Sequence, residues 1–105
     1  MFIVQRKMVI KEGNLDKVTS RFGKPGILNE QEGYIDSTVM AAKSRCGEQE
    51  VIVQIRWESE DYWKQWEKSD AHIAGHAANK GKPKPDHIIS QEGSRYTVQA
   101  VNTKE

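Results

Sequence analysis

Glu50-Val-Ile-Val-Gln-Ile-Arg-Trp57, followed after one residue by Ser59-Glu-Asp-Tyr-Trp-Lys-Gln-Trp-Glu-Lys-Ser-Asp-Ala-His-Ile-Ala-Gly-His76, is where this chain changes from one backbone period to another. The first run carries β-branched Val51, Ile52, Val53 and Ile55 and predicts a strand over 50–57. In the second, Ser59 is a favoured helix N-cap, and Glu60 and Asp61 face the positive end of the helix dipole. Tyr62, Trp66, Ile73 and Ala77 then recur at helical spacing, interrupted by Ser69 and Asp70, and predict one helix. The Gly/Pro-rich run 80–85 cannot continue it.

Working back from the strand, the polar turn 43–49 joins it to a second strand over 34–42 that opens after Gly33, so the pair reads as a hairpin with a longer loop. Further back, Leu15, Val18 and Phe22 follow helical spacing, with Asn14 as the expected N-cap and Gly23, Pro25 and Gly26 as the stop. Residues 2–10 read as a first strand, with Phe2, Val4, Met8 and Ile10 on one side and Ile3 and Val9 on the other. Forward of the helix, a last strand is expected over 94–101, after Gly93. The polar tail 102–105 is expected to fray. The order β-α-β-β-α-β predicts an α+β fold of ferredoxin-like type: a four-stranded antiparallel sheet with both helices on one face. Apolar residues on both strand faces leave the second face to be covered, and a second copy of the sheet is the simplest cover, giving a homodimer.

Composition narrows the classes. A chain of 105 residues is expected to form a single domain spanning 1–105. With 36% hydrophobic and 30% charged residues it reads as well solvated, and a net charge of +1 provides no field to recruit nucleic acid or a membrane surface. No apolar run approaches the ~20 residues of a membrane helix, and the N-terminus lacks the order of a secretory signal. The one cysteine, Cys46, excludes an internal disulfide and fits a reducing cytoplasm. It lies in a polar turn with no evident base, so it reads as a loop residue rather than a nucleophile.

The helix carries the chemistry. Trp66 and His76 are ten positions apart, with Ala71, Ala74, Gly75, Ala77 and Ala78 leaving room beside them. On one straight helix that separation is about 15 Å along the axis and about 80° around it. An apolar wall, a nitrogen ligand and space suit a flat aromatic ligand with a metal at its centre, and imidazole is an ordinary axial ligand of haem iron. A bland reading is equally simple: a histidine near a helix C-terminus interacts well with the dipole, and tryptophans pack cores. His72 and His76 at i,i+4 lack a third ligand fixed by spacing, so His72 reads as a polar residue at the rim. Tyr62 and Trp63 read as packing residues. Arg6 shares the face of Phe2, Val4, Met8 and Ile10, where a guanidinium must line a polar pocket or reach water. Lys80, Lys82 and Lys84 form a basic loop after the helix, too small and without aromatic interleaving for nucleic acid.

From Trp66 to His76 the chain resembles the haem-degrading monooxygenases of the antibiotic-biosynthesis-monooxygenase superfamily, in its Trp-x9-His spacing with Ser-Asp between. The likeness extends over nearly the whole chain in length and element order. It implies a dimeric α+β barrel made from two ferredoxin-like subunits. It further implies that His76 is the axial ligand of haem iron and that Trp66 crowds and ruffles the macrocycle. The family's first-strand asparagine falls at Arg6, a departure that puts the handling of oxygen and the site of ring opening in question, because arginine is longer and permanently charged. The implied activity is oxidative opening of haem, which is both cofactor and substrate, with O2 and an external electron donor, releasing iron and a linear tetrapyrrole. A reductase is an implied partner, because no flavin or nicotinamide motif is present. Arg6 is expected to serve as a distal or propionate-facing donor, and Lys80 and Lys82 as propionate contacts. Two other readings stay open: a non-enzymatic haem carrier, and a cofactorless small-aromatic oxygenase on the same fold.

Overall fold

In the computed structural model, residues 1–79 and 85–104 are described, with side chains for 1–74 and 85–104. Four strands and three α-helices follow in the order β1 (Phe2–Lys11), α1 (Leu15–Phe22), a 3-10 turn (Ile27–Glu30), β2 (Tyr34–Ala41), β3 (Glu48–Trp57), α2 (Glu60–Glu67), α3 (Asp70–Asn79) and β4 (Ile88–Thr97). The strands form one antiparallel sheet in the order β2-β3-β1-β4. This is the ferredoxin-like arrangement expected from the element order. The helix that lies between β3 and β4 in that pattern is here divided in two.

Register explains the core. Phe2, Val4, Met8 and Ile10 of β1 share a face with Val51, Val53, Ile55 and Trp57 of β3, because Met8 pairs with Val51 and Phe2 with Trp57. Val18 of α1 closes over Met8, Ile10, Val51, Val53 and Ile88, and all six are buried. Each such side chain contributes on the order of 1.5–3 kcal/mol when taken out of water. Leu15 and Phe22 flank the cluster on the α1 side. The Trp63 ring of α2 lies 5.2 Å from that of Phe2, so both helix layers cover the same sheet face.

Three expectations are corrected. The last strand runs Ile88–Thr97 rather than 94–101. Pairing with β1 carries it six residues further towards the N-terminus, to Ile88 opposite Ile10, with a register shift near Val9. Burial of Ile88 in the core outweighs the weak strand propensity of Gly93, which sits mid-strand opposite Arg6. Asn14 does not cap α1 with its side chain; its amide instead donates to the carbonyls of Lys11 and Glu12 and ties down the preceding turn. Ser59 is extended at the N-cap position of α2, likewise without a side-chain cap bond.

The hairpin tip is tighter than the turn 43–49 suggested. Arg45 and Glu48 exchange backbone hydrogen bonds at 2.7 and 3.0 Å around Cys46 and Gly47, both at positive φ. Two left-handed residues at the centre are what a two-residue hairpin needs to match strand twist.

Among the described residues, no helix covers the opposite sheet face. Ile3, Val9 and Ile52 are half-buried there, while Met40 and Tyr96 are 42% and 50% exposed. Between them Arg56 grips Asp36 with two donors, its Nε donating to Oδ1 at 2.7 Å and its Nη2 to Oδ2. Those bonds hold the Asp36 carboxyl below the ordinary carboxylate range. The unfolded chain therefore binds this proton more readily than the folded one. The contribution is complete above the unfolded carboxylate pKa of about 3.9 and is lost as the pH falls through the lower folded value. Asp36→Asn is expected to lower the denaturation midpoint at pH 7, where the ion pair contributes fully, and to flatten the acid limb of a plot of that midpoint against pH. An unchanged acid limb would mean that other carboxylates govern it.

Candidate functional site

The helix predicted to carry Trp66 and His76 together breaks at Lys68-Ser69. Ser69 is the cause. Its hydroxyl donates to the Trp66 carbonyl at 2.7 Å, closing α2, and accepts from the His72 amide at 3.2 Å, capping α3. Asp70 then occupies the first turn of the new helix, where the dipole favours an acid. Ser69-Asp70 is a helix start signal inside an otherwise periodic run, and the expected 15 Å axial separation on one straight helix does not apply. Ile73, assigned to the apolar stripe, is 55% exposed.

Ser69→Ala is expected to lower stability by about 1 kcal/mol through loss of the cap. The same change should also loosen the α2–α3 junction. Urea denaturation followed by circular dichroism measures the first effect. A midpoint within error of the parent would show that the junction is held by other contacts.

Around this corner Trp66 and His72 meet edge to face, with ring centroids 5.0 Å apart. His72 Nε2 lies 2.8 Å from Glu67 Oε2. The imidazole is held from both sides, more firmly than the rim position assigned to it implied. One turn back, Tyr62 packs against Gly33, as expected of a packing residue: a Cβ added at Gly33 would fall 2.1 Å from the Tyr62 ring.

Trp63 and Glu67, four residues apart on α2, line a cavity of about 260 Å3 with Val4, Gly93, Ser94 and Arg95. The Arg95 guanidinium carbon lies 5.2 Å from the centroid of the Trp63 ring. Trp63 was read from sequence as packing alone; it does pack on Phe2, and it also walls the cavity. Its i,i+4 relation to Glu67 was visible, whereas the Val4–Arg95 pairing that completes the floor is a matter of register. Gly93 leaves the floor open beside Arg6, with nothing nearer than 4.0 Å to where a Cβ would stand. Trp66 is not among the lining residues of this cavity.

Arg6 occupies the helix-side face, in register with Val53 and Gly93. Its guanidinium carbon is 5.9 Å from the centroid of the Phe22 ring, and that of Arg21 is 5.1 Å from the same centroid. Arg6 still reaches solvent. Lost hydration, and secondly the charge of Arg21, push its pKa below the ordinary arginine value. The side chain of His76, and Lys80 and Lys82 altogether, lie outside the described residues; the backbone at 76 belongs to α3.

Chemically, the slot combines the indole wall of Trp63 and apolar Val4 with the guanidinium of Arg95 and the carboxylate of Glu67, and Arg6 is paired with Gly93 at its floor. Small-molecule sites commonly occupy about 300–1,000 Å3. The cavity lined by Val4, Trp63, Glu67, Gly93, Ser94 and Arg95 is smaller than that range, and its indole wall suits a flat, apolar group.

A sheet of this order with such a slot on its helix side is the α+β architecture of a small monooxygenase family, and residues 1–78 match the family described as antibiotic biosynthesis monooxygenase. The chain belongs to that family. Over 101 residues, 96% of this chain and 94% of the relative, it is 64% identical to the "Heme-degrading monooxygenase HmoA" of Bacillus subtilis strain 168. A crystal structure from Bacillus cereus, assigned to the same monooxygenase family, superposes with a TM-score of 0.83 at 42% identity, covering 99% of this chain and 96% of that one. The heme-degrader MhuD of Mycobacterium tuberculosis, solved with two hemes bound in its active site, shares the fold at a TM-score of 0.57 and 16% identity, covering 95% of this chain and 99% of that one. Among the described residues, no helix is long and apolar enough to cross a membrane.

Proposed function

We propose that this chain is a haem-degrading monooxygenase that binds haem on the helix side of its sheet and opens the porphyrin oxidatively. The observation that carries the reading is the 64% identity to the curated haem-degrading relative along 96% of the chain. The slot agrees with it in chemistry: Trp63 and Val4 offer apolar surface and Arg95 a cation for a carboxylate of the substrate, with Arg6 next to Gly93 at its floor.

Haem itself supplies the redox chemistry, drawing on O2 and an external electron donor delivered by a separate reductase or small reductant. The residues of this chain bind and orient it. His76 would hold the iron. The engagement of His72 with Glu67 and Trp66 favours this choice between the two α3 histidines. Trp66 would press on the macrocycle from the last turn of α2, whose end is fixed by the Ser69 bond to the Trp66 carbonyl. Arg6 stands on the first strand as a cationic donor in place of an asparagine, and Lys80 and Lys82 would serve as propionate contacts.

The working unit is a homodimer paired through the uncovered sheet face, whose half-buried Ile3, Val9 and Ile52 are supporting evidence. A monomer mass in sedimentation at micromolar concentration would remove that part. The activity is tested by titrating the protein with haemin, following the Soret band, and then adding reductant under O2. Bleaching with release of iron and a tetrapyrrole is the expected result. Haem binding without ring opening would make the protein a carrier, and absence of binding would end the reading.

A further inference from the structure

Arg6 and Arg21 come from different elements, β1 and α1, yet both guanidinium groups lie against the one Phe22 ring. Like charges brought together this way repel, and the pair persists only if something offsets the repulsion. Phe22 does so in part through its ring quadrupole. Carboxylates do not: among the described residues neither arginine forms an ion pair, although Lys7, Arg56, Lys64 and His72 each have an acidic partner. Arg6 also faces the bare strand position Gly93, where the floor of the slot lacks a side chain. Two cations without a carboxylate partner therefore stand against one ring, and one of them, Arg6, is paired across the strands with a glycine that lines the slot.

We propose that Arg6 and Arg21 together form a carboxylate clamp that seats one propionate of the substrate beside Gly93 of the slot and so fixes which edge of the macrocycle points towards β1. This rests on the reading of the chain as a haem-binding enzyme. The planar fork of a guanidinium matches a carboxylate with two parallel donors, and charge-assisted bonds of this kind are about twice as strong as neutral ones. The clamp assigns Arg21 a positioning role. It also makes Arg6 a group that recognises the substrate's acid rather than its iron-bound side. The second propionate is left to the other cations of the slot, among which Arg95 lies over Trp63 at the opposite wall.

The test compares two probes on the full-length chain at fixed ionic strength: haemin and haemin dimethyl ester, which has the same ring and iron but no carboxylates. Dissociation constants are read from the Soret band for the parent protein and for Arg21→Gln, Arg6→Gln and Lys17→Gln. Lys17 is an exposed cation of α1 outside the Phe22 contact, so its variant controls for net charge. The parent is expected to prefer the free acid by about tenfold, the change expected from one well-made charge-assisted contact. Arg21→Gln and Arg6→Gln should each erase most of that preference while leaving ester affinity unchanged. Lys17→Gln should keep it. An equal affinity of the parent for acid and ester, or a preference that survives both arginine substitutions, overturns the clamp while leaving haem binding intact. Failure of the parent to bind either probe overturns the clamp together with the function on which it rests. Circular dichroism melts of each variant separate a lost clamp from a lost fold, and Arg21→Lys, which keeps the charge but not the fork, should restore only part of the preference.

Discussion

Replacing His76 by alanine is expected to weaken haem binding by about two orders of magnitude, on the order of 3 kcal/mol, and to abolish ring opening. The size follows from what is removed. Apolar contact and propionate pairing remain in the variant, so haemin should still associate, but the bond that orients the iron is gone. The Soret band should move towards that of weakly bound, non-ligated haemin. Added imidazole should recover part of the original spectrum, because it can occupy the space left by the side chain. His72→Ala is the informative partner experiment. His72 is tied to Glu67 Oε2 at 2.8 Å and meets Trp66 edge to face, so its loss should alter the α2–α3 corner while the iron spectrum keeps its histidine character. A parent-like spectrum in His76→Ala, or a collapse confined to His72→Ala, would assign the iron to the other histidine.

Gly33→Val should destabilise the protein by about 3 kcal/mol or more, the largest stability effect expected from a surface-loop substitution here. Two costs coincide at this position. The backbone sits at φ +83°, a conformation that a β-branched residue adopts only under strain. The new Cβ would also lie 2.1 Å from Cγ of Tyr62, with further atoms of that side chain at 2.4 and 2.5 Å, so the ring must move. Moving it has consequences for the site. Tyr62 neighbours Trp63, whose ring rests on Phe2 and walls the cavity. The Gly33 carbonyl also accepts from the Glu58 amide at 2.8 Å, just before α2 begins. A displaced α2 should therefore reduce haemin affinity along with stability. Adding Tyr62→Ala in the Gly33→Val background separates the two costs. It removes the collision but not the strained φ, so the double variant should lose less than the sum of the two single changes. Strict additivity would show that the ring and the glycine do not interact.

These two positions illustrate how much was legible before folding. Gly33 was recognised only as a strand boundary, and its partner Tyr62 as a packing residue. Nothing in a linear chain announces that the two meet across the start of α2. Alternation identified the strand around Met8, and a run of β-branched residues the one around Val53. Periodicity also identified the run from Tyr62 onward as helical, because indoles and alanines recur at helical spacing. The same averaging over periods hid the break at Ser69, a local hydrogen-bonding event that outweighs a continuous pattern. Gly93 misled the reading of β4 in a similar way. A glycine lowers strand propensity, yet pairing with β1 and burial of Ile88 set the strand's true extent.

Taken by itself, the amino-acid order determined the ferredoxin-like succession of elements, the apolar core positions of β1 and β3, and the Trp-x9-His signature that points to haem. Short-range periodicity and residue chemistry suffice for the first two, whereas the signature takes its meaning from resemblance to a known family. Only the tertiary structure decided that Trp63, Glu67, Gly93 and Arg95 share one cavity, and that Arg6 and Arg21 converge on Phe22. Such groupings depend on strand register and on where each helix lands, and a one-residue slip in register would turn Arg6 to the other face of the sheet.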